Sequence, residues 1–150
     1  MNETYSEKYR ELRNLNGVRQ RFVNSRVITK EAQNSWFNRY LKSPNEYMFA
    51  ILDNGGQFLG GCSLYEWKED TCEFGRLIID PLKSGKGYGE NAVRAALMIG
   101  KLNGINHIKL DVYSDNIPAL TIYKRVGFSI TGYLNDTEGN RMFHMEIELS

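Results

Sequence analysis

Hydrophobic positions change their period repeatedly along the chain. From Tyr5 to about Phe22 they recur at helical spacing, with Tyr9, Leu12 and Leu15 on one face, and Asn16-Gly17 splits the run into two short helices. Thr29 before Lys30-Glu31-Ala32-Gln33 predicts an N-cap and first turn, and the helix continues to about Leu41 with Trp36, Phe37, Tyr40 and Leu41 gathered on it. At Tyr47 the pattern shortens to strands. Tyr47 to Leu52, Phe58 to Trp67 and Cys72 to Ile79 predict an antiparallel meander, turned at Asp53-Asn54-Gly55-Gly56 and at Lys68-Glu69-Asp70-Thr71. Helical spacing returns from Glu90 to Leu102 and stops at Gly104. Ile108, Leu110 and Val112 alternate with Lys109 and Asp111 as a strand, Ile117 to Arg125 is helical, and Gly127 to Ile130 and Arg141 to Leu149 close the chain as strands. In the last of these, Phe143, Met145, Ile147 and Leu149 share a face. The order predicts an α+β (mixed α/β) domain on one sheet, spanning 1–150.

Composition narrows the function. The 150 residues carry 41% hydrophobic and 25% charged side chains, an ordinary globular mixture. Lys plus Arg number 19 against 18 Asp plus Glu, so a net charge of +1 gives no electrostatic case for nucleic acid or an anionic membrane as partner. No apolar run is long enough to span a bilayer, and Met1 to Arg10 is too polar for a secretory signal. Cys62 and Cys72 fall too far apart across their hairpin for a disulfide, and free thiols without an export signal point to the cytoplasm. No metal is called for.

Ser84-Gly85-Lys86-Gly87-Tyr88-Gly89-Glu90 lies between a strand and an apolar helix. Successive glycines let several N–H groups converge, and the helix start adds partial positive charge, so the loop suits a phosphate or pyrophosphate. It is not a Walker A loop, because Lys86 precedes Gly87 and Asp80 occupies the first glycine's place. It is not a dinucleotide fingerprint either, because Glu90 stands where the third glycine belongs and the loop follows antiparallel hairpins.

Leu77-Ile78-Ile79-Asp80-Pro81 followed by Gly85-Lys86-Gly87-Tyr88-Gly89 resembles the acetyl-CoA motif of the GNAT acetyltransferases. Asn116-Ile117-Pro118-Ala119-Leu120-Thr121-Ile122-Tyr123 to Phe128 resembles that family's second motif, one βα unit later. The resemblance covers about 14–149 and implies a central mixed sheet with a splayed strand pair flanked by helices. It implies acetyl-CoA as cofactor: the backbone of Leu77, Ile78 and Ile79 on the acetyl and pantetheine groups, and Ser84, Gly85, Lys86, Gly87, Tyr88, Gly89 and Glu90 around the pyrophosphate. Asn116 and Ala119 would flank the pantetheine arm. Two departures stand out: Ser84 replaces the family's usual Gln or Arg, and the chain begins at a helix where family members have a strand first, which implies either a short variant of the fold or a sheet edge completed by another chain, as in a homodimer.

The resemblance further implies an N-acetyltransferase acting on a small-molecule amine. An alkyl ammonium of pKa ~10.4 must lose a proton before attack, and a departing thiolate gains from an acid. Tyr123 is the implied acid; Glu73, inside the third strand four residues before Leu77, is the candidate base. His107 and His144 read as surface-strand residues. Phe22, Asn24, Arg26, Trp36, Tyr65 and Trp67 are the candidate acceptor contacts, their aromatic faces and arginines suiting an amino sugar on a nucleotide. Two alternatives remain: a polyamine or protein N-terminus as acceptor, greeted by an acidic lip of Glu66, Glu69, Asp70 and Glu73, and a non-catalytic acyl-CoA-binding module.

Overall fold

The computed structural model describes all 150 residues. Helix α1 (Glu3–Asn14) starts at Asn2, whose side chain accepts the Tyr5 N–H at 2.8 Å. Only a 3₁₀ turn, Arg19–Arg21, follows it where a second helix was expected, and Leu15 lies beyond the helix end, exposed. The Gln20 side chain causes the difference: it accepts from the Gly17 N–H and donates to Asn16, closing a turn that competes with helix. The connection from residue 15 to 29 is fastened by Asn14, whose amide donates to the Ile28 carbonyl at 2.8 Å while its Oδ1 accepts the Ile28 N–H at 2.7 Å. Helix α2 (Lys30–Tyr40) begins at Thr29, whose hydroxyl accepts the Ala32 N–H at 3.1 Å as expected.

The remaining elements are β1 (Tyr47–Leu52), β2 (Phe58–Lys68), β3 (Thr71–Ile79), α3 (Tyr88–Leu102), β4 (His107–Tyr113), α4 (Ile117–Val126), β5 (Ser129–Asn135) and β6 (Arg141–Glu148). They make one six-stranded sheet in the order β1-β2-β3-β4-β6-β5. Every neighbouring pair is antiparallel except β3–β4. No strand precedes α1, and β1 is a sheet edge. Strand β5 starts later than its sequence suggested, because Gly127 and Phe128 donate back to the Tyr123 carbonyl and finish α4.

Two irregularities set the faces of the sheet. In β2, Glu66 has φ +50 and the register with β3 shifts between Tyr65 and Lys68. In β3, Gly61 faces Ile78 but Ser63 faces Gly75, so Arg76 and Leu77 both stand opposite Cys62, and Arg76 has φ +57. Each is a β-bulge, and past each one the alternation of side chains reverses. One face of the sheet packs on α3 and α4 through a core that includes Leu64, Phe74, Val93, Ile108, Leu120 and Met145. The other packs on α1 and α2 through Tyr9, Val18, Met48 and Ile78, with Trp36 and Tyr40 against them. Cys62 and Cys72 are both buried free thiols.

The chain approaches itself most closely at Gly60, where a Cβ would lie 1.9 Å from the Ile78 carbonyl oxygen. Gly60→Ala therefore forces β2 and β3 apart and should cost about 1–3 kcal/mol, read as a lower urea midpoint with an unchanged slope. An unaltered midpoint would mean that the two strands are not held this close.

Candidate active site

Strands β3 and β4 pair over only three residues, Thr71 to Glu73 against His107 to Lys109. Beyond Glu73 the β4-facing backbone of β3 has no strand partner. A cleft of about 1320 Å³ opens at this point, between the glycine loop on one side and the 20–25 connection and the β5–β6 hairpin on the other.

One wall is mostly backbone. Gly85 and Gly87 have φ of +80 and +81, and a Cβ on either would meet nothing within 4 Å, so glycine is needed there for conformation rather than for space. The first bond inside α3 runs from the Asn91 N–H to the Gly87 carbonyl at 3.1 Å. The N–H groups of Tyr88, Gly89 and Glu90 therefore have no intrahelical partner, and the 15-residue helix aims its positive end at the cleft. The Glu90 carboxylate turns to Arg125 at 3.2 Å and Arg94 at 3.6 Å. Open space, free N–H groups and a neutralised carboxylate fit the diphosphate of acetyl-CoA.

Leu77, Ile79, Ser84, Gly85, Gly87, Tyr88, Gly89, Glu90, Asn116, Ala119 and Tyr123 all line this cleft; Ile78 and Lys86 do not. The reversal at Arg76 sends the Ile78 side chain into the α1 core, leaving only its backbone for the expected role. Ser84 spends its hydroxyl on the Pro81 carbonyl at 3.0 Å, so it supplies no side-chain phosphate contact. Asn116 caps α4, its Oδ1 accepting the Ala119 N–H at 3.4 Å. Tyr123 is 6% exposed, held edge-on between Phe74 and Phe128, and its hydroxyl makes no hydrogen bond within the chain. Burial raises its pKa, so the phenol keeps its proton at neutral pH.

The opposite wall is made of side chains. Phe22, Asn24 and Tyr65 line it. Arg26, Trp36 and Trp67 do not, which corrects half of the expected acceptor set. Arg26 sits exposed beyond the Asn24 turn, Trp36 stacks on Tyr40 at 5.3 Å in the α1–α2 core, and the bulge at Glu66 turns Trp67 to the α3 side, where it meets Tyr47 at 5.2 Å. The expected acidic lip also disperses. Asp70 binds the start of β4 through Asn106 and His107, and none of Glu66, Glu69, Asp70 and Glu73 lines the cleft.

Glu73 stands across from Tyr65 at the last paired position before the splay and makes no ion pair with Lys68. Partial burial, with the charges of Glu66 and Asp111, holds its carboxyl above the usual glutamate pKa, against a hydrogen bond from Tyr65 that lowers it. Among the lining residues that were not anticipated are Arg13, Arg76 and Asp111. The Arg13 guanidinium lies 3.7 Å from the Phe22 ring centroid and donates to the Asn24 carbonyl, which holds the 20–25 segment against the cleft. Arg76 pairs with Glu46 and lies 4.4 Å from the Tyr65 ring centroid. A polar residue in an apolar strand, as at Arg76 and Asp111, is the only trace these left in the sequence.

The sheet opened at its single parallel pair, with an anion-receiving helix start at one lip, defines a GNAT-like α+β domain. The family described as an acetyltransferase (GNAT) domain matches residues 5–129. The chain therefore belongs to the GNAT acetyltransferases. It is 32% identical over 103 residues to the mycothiol acetyltransferase of Actinosynnema mirum, a match covering 69% of this chain and 32% of that one. It is also 32% identical over 73 residues to the spermine/spermidine N(1)-acetyltransferase of Bacillus subtilis, covering 48% and 47%. The chain thus spans about a third and about half of these relatives. The fold matches the spermidine N-acetyltransferase of Vibrio cholerae, solved with CoA and spermine, at a TM-score of 0.91 and 20% identity, over 99% of this chain and 92% of that one. None of these relatives supports the amino-sugar branch.

If the glycine loop receives the diphosphate, Gly87→Val strains the backbone by about 1–3 kcal/mol at its positive φ and misdirects the Tyr88 to Glu90 N–H groups. The variant should lose most of the melting-temperature rise that CoA gives the parent. A folded Gly87→Val protein with the full CoA shift would reduce the loop to a connection.

Proposed function

We propose that the chain is an acetyl-CoA-dependent N-acetyltransferase acting on a primary amine of a small molecule. The observation that carries this is a single cleft lined by the free N–H groups at the start of α3, the unpaired edge of β3 and the Tyr123 phenol. Acetyl-CoA, when bound, supplies an activated thioester. Tyr123 donates a hydrogen bond to the departing sulfur; its burial keeps the proton available and makes complete transfer costly, so stabilising the developing charge is the larger part of its role.

Glu73, acting through water, is the proposed proton acceptor for the ammonium. Its raised pKa matches it better to this task than an ordinary glutamate, while its absence from the cleft lining requires the bridging water. The Bacillus subtilis relative makes polyamines the first acceptors to test, with amino sugars in the same panel. The aromatic and arginine set that favoured a sugar nucleotide is only partly assembled, since Arg26, Trp36 and Trp67 lie elsewhere.

The test is thiol release from acetyl-CoA across a panel of amines, followed by two variants. Tyr123→Phe keeps the ring packing and should lower kcat by ~10² to 10⁴ with little change in KM for acetyl-CoA. CoA binding without transfer to any amine would favour the non-catalytic module. Glu73 must be ionised to accept a proton, so activity should fall as pH drops through its raised pKa, an acid limb above the usual glutamate range. Glu73→Gln should abolish that limb along with most activity; an unchanged limb would assign it to another group.

A further inference from the structure

We propose that Asp111 binds the ammonium group of the acceptor and that His144 is the positioning residue that holds its carboxylate. The inference deepens the N-acetyltransferase reading and rests on it. Strand β4 loses its β3 partner after Lys109, so Asp111, two residues on, is the first β4 side chain on that face past the point where the sheet opens. Alternation puts Ile108, Leu110 and Val112 in the α3–α4 core and turns Lys109, Asp111 and Tyr113 to the other face, the one that carries Tyr65 and Glu73. Asp111 lines the cleft together with Tyr65 and Tyr123, while Glu73 stays behind it.

His144 is the direct cross-strand partner of Asp111 on β6, and its Nδ1 contacts Oδ1 of the carboxylate. Gly132 on β5 stands opposite the imidazole, where a Cβ would lie 3.7 Å from the ring, so the ring rests against bare backbone. The second carboxylate oxygen of Asp111 has no partner in the chain, and both side chains remain 43% exposed.

Three of the five cationic side chains lining the cleft are engaged elsewhere, Arg76 with Glu46, Arg125 with Glu90 and Arg13 with the Asn24 carbonyl, while Arg21 and Lys83 make no ion pair. Of the other acids lining the cleft, Glu90 pairs with Arg94 and Arg125, and Asp115 and Glu138 have no side-chain partner to orient them. Asp136 is spent on Tyr113 and on the N–H groups of Glu138 and Asn140, which fix the β5–β6 turn. Asp111 therefore offers an oriented, half-solvated carboxylate oxygen at the mouth of the splay, with the negative charge of Glu73 nearby to favour a cation further.

The experiment is steady-state kinetics with the best amine of the panel, every variant first shown to be folded by its CoA-induced melting shift. Asp111→Asn should lower kcat/KM for the amine ~10- to 100-fold, the loss of a charged hydrogen bond, while KM for acetyl-CoA stays within about twofold. His144→Leu should show a smaller loss of the same kind, and His144→Gln, whose amide still donates, should recover most of it. In the Asp111→Asn background His144→Leu should add almost nothing, because it acts through the missing carboxylate. An unchanged amine kcat/KM in Asp111→Asn, or independent multiplication of the two effects, overturns the proposal and leaves the enzymatic reading standing. A parent protein that acetylates no amine removes both.

Discussion

The departure of β3 from its only parallel partner after Glu73 makes the cleft, and on its wall one extra residue is taken up at Arg76 by left-handed backbone. A non-glycine residue in that conformation costs of order 1–3 kcal/mol. Three contacts offset it: Arg76 pairs with Glu46, its guanidinium lies over Tyr65, and its carbonyl accepts the Tyr9 hydroxyl at 2.8 Å. The last of these joins α1 to the bend itself. The same residue thus bends the strand, orients an acceptor-side ring and anchors the helix that covers the second core.

From that opening the two walls follow different rules. The glycine-loop wall presents main-chain donors, which depend on φ and on the start of α3 and hardly on side-chain identity. The opposite wall presents the side chains of Phe22, Asn24, Tyr65, Arg13 and Asp111, held by ion pairs, ring contacts and one connecting loop. Tyr123 stands between them, fixed by two aromatic rings that belong to the main core.

The strand and helix order was legible because each element has a clear period and most have a chemical stop, such as Thr29, Asp53 to Gly56 and Gly104. The glycine loop was legible for the same reason: it needs particular residues. The acceptor wall was not. Trp67 was misplaced because a bulge at Glu66 reverses alternation without any glycine or proline to announce it, and Ile78 changed faces through the equivalent event at Arg76. Trp36 looked available because aromatic residues on a short helix do not reveal which side the sheet will cover. Asp111 and His144 read as two unrelated solvent-facing positions, since pairing across 33 residues depends on strand order and register.

The paired hydrogen bonds between Asn14 and Ile28 close the neck of the 15–29 connection, and Arg13 ties its middle at Asn24. Of the residues in between, Val18 belongs to the second core and Phe22 packs against it, while Val23 to Ser25 stand outside it. Changes at Val23 to Ser25 alter the side-chain wall of the cleft and leave the backbone wall at the glycine loop as it is. If the proposed transfer holds, substitutions in this short segment change what the acceptor meets while the glycine loop that faces the cofactor keeps its backbone.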